Sequence, residues 1–252
     1  MDIDLHGSWY VTIIEGTPIG DIHITMTMIM GWIVLLILSL LCFVLGRNLK
    51  VTNISRRQAL AEWIVEALNK FVRGNMGTEF DAYIPFVGAV FGTAIISNLI
   101  SLVGGVWSPT ADLATELGWA VVVFIMITYH KIKANGMGGY LKGYLDPIAP
   151  MLPLNIISEL ATPVSMACRH FGNILSGMVI SALIYGALGV ASQALLGLIP
   201  VIGTWLGTHI PILEIGLPAV TSLYFDWFSG LIQPFIFCTL TCIFIKQASE
   251  TE

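Results

Sequence analysis

The chain has 252 residues, of which 56% are hydrophobic and only 11% charged, and its formal net charge is −5. Soluble domains average about 25% charged residues, so a soluble fold is excluded. Several apolar stretches reach the roughly 20 residues that cross a bilayer as helix, and the alternation of a transmembrane barrel is absent. The composition predicts an all-α polytopic membrane protein, one membrane domain over 1–252.

Residues 1–23 hold Asp2, Asp4, Glu15 and Asp21 and no Lys or Arg. The first span covers 24–45. It lacks the basic start of a secretory signal, so it is read as retained. The stretch "GRNLKVTNISRRQ" follows, with Arg47, Lys50, Arg56 and Arg57. Basic loops stay cytoplasmic, which places the N-terminus outside and residue 47 onward inside.

Residues 55–74 read as an amphipathic helix. Leu60, Ile64, Ala67, Leu68 and Phe71 recur at helical spacing, while Glu62, Glu66, Lys70 and Arg73 fall mostly on other faces. Ser55 and Gln58 suggest a capping box, and Gly74 a stop. Too charged to span, this helix is expected to lie along the cytoplasmic interface. A transmembrane hairpin over 83–130 comes next, turning at "GGVWSPTAD" and returning to "HKIKANGMGGYLKGYLDP", which carries Lys131, Lys133 and Lys142.

Two long apolar stretches, 152–199 and 212–245, fill the last third, and Lys246 closes the chain on the inner side. A helix over 155–188 would be roughly 50 Å long at 1.5 Å per residue, against a hydrocarbon core of about 30 Å. Such helices must break or lie strongly tilted, and Pro163, Pro218 and Pro234 allow local bends. Two long tilted helices can embrace a curved partner. Cys42, Cys168, Cys238 and Cys242 all lie in apolar segments. Cys238 and Cys242 share a helix face, but inert buried thiols are the simpler reading than a metal site.

Ten of the eleven Lys and Arg residues fall where this topology meets the cytoplasmic face. Arg169 is the exception. It sits deep in an apolar run, too far from either end to reach the headgroups easily. Its guanidinium cannot shed its proton, so a carboxylate partner or a water-filled cavity is expected. Glu159 lies about 15 Å away along the same helix, and Glu214 and Asp226 fall toward the outer end of the last stretch. A carboxylate in another subunit, arriving and leaving, fits better.

The stretches "ISELATPVSMACRHFGNILSG" and "YFDWFSGLIQPFIFCTLTCIFI" resemble subunit a of F-type ATP synthases, and "SNLISL" and "PTAD" recur in that family's order. The resemblance covers about residues 55–248. It implies a non-catalytic, stationary subunit whose 152–248 region forms two long tilted helices facing a rotor ring of small hairpin subunits. Two aqueous half-channels would carry H⁺ or Na⁺ to and from the ring's carboxylates, with Arg169 blocking direct leak. The implied partners are the c-ring, the peripheral-stalk subunit b, the rest of the synthase and the lipid bilayer, without nucleic acid. A bacterial plasma membrane location with a cytoplasmic C-terminus is also implied.

Residue by residue, the resemblance assigns Asn173 and Gln233 to the neighbourhood of Arg169. It assigns Asp226 to the outer half-channel, and Ser158 and Glu159 to the inner one. Asn98 and Asp112 are expected to shape the hairpin and its outer mouth. Three positions depart from the family pattern: Met178 where many relatives have Glu or His, Asn155 where many have Glu, and His170 where Leu is usual. On a helix the residue after Arg169 points about 100° away, so His170 is expected to make a polar or interface contact rather than shuttle protons.

No phosphate-cradling G-x-x-x-x-G-K-[ST] motif occurs, so nucleotide chemistry belongs to partner subunits, and no cofactor is expected. A self-contained transporter or channel is the alternative, although no internal repeat supports it. An intramembrane hydrolase would need paired aspartates, H-E-x-x-H or a matched Ser/His pair, which the sequence does not supply.

Overall fold

A computed structural model describes residues 10–14, 22–101, 108–146, 148–196 and 223–250. A two-stranded antiparallel ribbon precedes the helices, β1 (Tyr10–Ile14) against β2 (Ile22–Thr25), with Val11 opposite Ile24. The ribbon was not anticipated by a reading tuned to membrane spans. It leads straight into α1 (Met26–Gly46), whose start is capped by Thr25 Oγ1 accepting from Met28 N. Most of α1 is bare: Trp32, Leu36, Leu40 and Phe43 are exposed, and Val34 is its buried apolar contact. Gly92 of α3 (Ile84–Ser101) lets the two helices approach, since a Cβ there would lie 3.0 Å from Leu38 Cδ1.

Helix α2 spans Arg56–Met76 and begins as its sequence suggests, with Ser55 Oγ accepting from Gln58 N at 3.3 Å. The reciprocal half of the capping box is rerouted. Gln58 instead clamps the backbone of Lys50, accepting from its N at 2.9 Å and donating to its O at 2.7 Å. The helix runs past Gly74 and stops at Gly77, whose φ of 96° favours glycine. Beyond the stop, Arg73 grips Asp81 through two hydrogen bonds of 2.8 and 2.7 Å, holding the 3₁₀ turn Thr78–Tyr83 against the helix end.

Helix α4 (Leu113–Gly143) starts at Asp112, which caps Ala114 N and accepts a 2.9 Å hydrogen bond from Thr27 Oγ1. One carboxylate thereby ties the starts of α1 and α4 together. Buried Asn98 accepts from Thr110 Oγ1 and donates to Gly230 O, joining α3, the turn Pro109–Ala111 and the start of the last helix. These contacts give Asn98 and Asp112 the hairpin-shaping part expected of them. Further along, α4 kinks at Gly136, where φ 71° and ψ 165° lie in a region reserved for glycine.

Helix α5 (Leu152–Leu196) is continuous for 45 residues, about 67 Å at 1.5 Å per residue, despite Pro163 within it. Its length is more than twice a hydrocarbon core of about 30 Å, so a continuous α5 must lie steeply tilted rather than upright. Helix α6 (Gly230–Ser249) follows a π-wound segment, Leu223–Ser229. Residues 212–222 of the second long stretch lie outside the described residues. The core gathers around α6: Phe237, Cys238, Cys242, Ile245 and Ala248 recur at helical spacing and meet Val72 and Met76 of α2, Val87 of α3, Val123 and Ile127 of α4 and Met166 of α5. Among the described residues, five helical segments are long and apolar enough to cross a membrane, and the architecture is that of an all-α polytopic membrane protein.

Candidate functional site

Pro163, Met166, Ala167 and His170 of α5 are buried at spacings of three, one and three, which is one helical face. That face packs on α4 and α6. The opposite side stays bare, with Ile157, Leu160, Val164, Leu183 and Val190 exposed. Arg169 belongs to the bare side. One residue decides the difference: a helix turns about 100° per residue, so Arg169 is exposed while His170 is only 1% exposed.

His170 meets a group that the sequence reading passed over. Its Nδ1 stands 2.9 Å from Oε2 of Glu116 on α4, and Glu116 is fully buried. The contact has ion-pair distance without hydrogen-bond alignment, and among the described residues neither side chain has another hydrogen-bond partner. The polar contact expected of His170 is therefore present. Glu116 was camouflaged because it lies in the first turn of α4, where an acidic residue ordinarily complements the helix dipole. Only its apolar flanks in "ATELGWAVVVF" hint that it faces inward.

The His170 ring also lies 6.4 Å from the ring of Phe237 on α6. Gln233, buried at 9% exposure, is one turn before Phe237 on the same face. The His170 turn of α5 and the Phe237 turn of α6 are thus packed side by side. Asn173, half-buried, sits one turn past Arg169. Asp226 falls in the π-wound segment, but its side chain lies outside the described residues.

Ser158 and Glu159 stand apart, about 15 Å from Arg169 along α5. Ser158 is exposed, and its carbonyl accepts from Thr162 Oγ1 at 3.2 Å. Glu159 is engaged by Lys131 Nζ at 3.0 Å and by the Tyr140 hydroxyl at 3.4 Å. Tyr140 in turn contacts Tyr144. Burial, with help from Glu159 and Tyr140, pushes the Tyr144 phenol well above its ordinary range. Asn155 donates to the carbonyls of Tyr144 and Asp146 at 2.9 and 3.0 Å, stitching the α4–α5 connection. Met178 is exposed on the bare side of α5.

The profile of the ATP synthase A chain matches residues 28–246. The chain belongs to the ATP synthase A chain family. It is 32% identical over 227 residues to "ATP synthase subunit a" of Desulforamulus reducens, covering 90% of this chain and 80% of that protein. It is 31% identical over 232 residues to "ATP synthase subunit a 1" of Crocosphaera subtropica, covering 92% and 90%. It is 31% identical to "ATP synthase subunit a, sodium ion specific" of Propionigenium modestum, covering 88% and 73%. As a member of the ATP synthase A chain family, it is an integral-membrane subunit of the ATP synthase complex, with ion transport tied to ATP synthesis as its role.

Proposed function

We propose that this chain is the stationary half of the synthase's ion path, with Arg169 as its electrostatic gate. A ring of small hairpin subunits would turn against the bare side of α5, each presenting a carboxylate at mid-membrane. The guanidinium favours the ionised form of each carboxylate as it passes, releasing H⁺ or Na⁺. It also repels a cation attempting to cross directly between two half-channels. Ions must then travel around with the ring.

The observation that carries this reading is the exposure of Arg169 on an apolar helix face whose next residue is buried. A permanently charged group placed so calls for an opposite charge from outside its own helix, because the lipid alone would be a costly neighbour. Gln233 and Asn173 would order water or hydrogen-bond the guanidinium. Asp226 would line the outer half-channel, and Ser158 and Glu159 would border the inner one. The peripheral-stalk subunit b would hold the chain still. The chain itself would catalyse no bond chemistry. The reading places it in a bacterial plasma membrane, N-terminus outside and C-terminus cytoplasmic, in keeping with the basic residues after α1 and in the second half of α4.

The test is Arg169→Ala in the assembled complex. Loss of ion-driven ATP synthesis with the subunit still inserted is expected. Retained coupled synthesis would remove the gate.

A further inference from the structure

We propose that the buried Glu116–His170 pair is a positioning latch for Arg169, fixing the rotation of α5 against α4 and keeping the Glu116 carboxylate occupied so that the guanidinium stays on the exposed face. The proposal rests on the gate reading of Arg169 given above. Its grounds are geometric. Glu116 and His170 are 0% and 1% exposed, their approach is 2.9 Å, and they join two helices that pack along much of their length.

Among the described residues, α6 supplies no substitute counter-charge: beside Phe237, which meets the His170 ring, it buries the amide of Gln233, the hydroxyl of Thr241 and the thiols Cys238 and Cys242. The turn before α4 contributes buried Thr110, already hydrogen-bonded to Asn98. Arg169 is the charged residue immediately adjoining the pair on α5. Removing His170 alone leaves a buried carboxylate with Arg169 as the nearest cation in sequence. The guanidinium is then drawn off the bare face, or α5 turns to bring it inward. Either movement takes the gate from its rotor partner.

This mechanism predicts an order that simple packing would not give. His170→Gln is expected to lower ion-driven ATP synthesis by roughly tenfold, the change that about 1.4 kcal/mol of lost positioning produces. Glu116→Gln added to His170→Gln removes the stranded carboxylate and should restore most of the synthesis, because amides satisfy each other across the same gap. The exchanged pair, Glu116→His with His170→Glu, should also restore it. Passive ion leak through the membrane sector, measured after removal of the soluble head, should rise in the single variant and fall again in the double.

Subunit content of the purified complex is measured alongside, so that failed assembly is not mistaken for failed gating. If His170→Gln assembles and synthesises ATP at the unaltered rate, the latch is overturned. It is overturned equally if the double variant and the exchanged pair are no better than the single one. Arg169→Ala serves as the separate control. Full activity in that variant would strike down the gate reading itself, whereas loss there with an unaltered His170→Gln would strike down the latch alone.

Discussion

The Lys131–Glu159 bridge offers a sharp test of how α4 and α5 are held together. Its Nζ–Oε1 distance is 3.0 Å, and the two side chains are 38% and 9% exposed. Direct attraction at that distance is about 5 kcal/mol at an effective dielectric of 20. Desolvating Glu159 offsets much of it, and solvent at the half-open lysine screens more, leaving a net of about 1–2 kcal/mol. Lys131→Met leaves the carboxylate to the tyrosine hydroxyls beside it, Tyr140 at 3.4 Å and Tyr144. We expect that variant to lose about 2 kcal/mol, and the further change Glu159→Gln to cost little more. Titration with SDS in mixed micelles, followed by tryptophan fluorescence and arranged as a double-mutant cycle, reads the coupling. Additive effects, within about 0.5 kcal/mol, would refute the view that this bridge fastens the two helices.

Two further outcomes can be checked in the same way. Gly136→Ala should destabilise the chain by about 1–3 kcal/mol through backbone strain alone, because φ is +71° and no atom lies within 4 Å of the added Cβ. Gly138→Ala, with equally open space and no positive φ, is its control and should be neutral or stabilising. On α2, the hydrogen bond and charge of Lys70, 2.8 Å away, hold the Glu66 carboxyl below its ordinary value. The sign follows: its contribution to the helix is complete above the ordinary carboxylate pKa and disappears as pH falls through the lowered one. Circular dichroism of a vesicle-bound peptide spanning 55–77, from neutral pH down to about pH 3, should show that loss, and Glu66→Gln should abolish this share of it.

Much of the architecture is local and so was legible in the sequence. Apolar runs announce helices long enough to span by their length, and the alternating faces of 55–74 announce an amphipathic helix, because both signals depend on neighbours within a few turns. Ser55 caps α2 as its position implied. The stop was misplaced by three residues: Gly74 and Gly77 look alike in sequence, and only the backbone shows which adopts positive φ. Arg169 was conspicuous because a charge among apolar residues needs no fold to be noticed.

What the tertiary structure alone decided is rotation. Sequence could say that Arg169 and His170 point about 100° apart, but not which of the two would face the neighbouring helices. Nor could it say that Glu116, from a different helix, would meet the buried one. That pairing depends on how α4 and α5 are turned and slid against each other, a choice made by packing around Met166, Val123 and Phe237. Side-chain identity fixes which groups must find partners in an apolar interior. Helix rotation and register, which no local signal encodes, determine who those partners are.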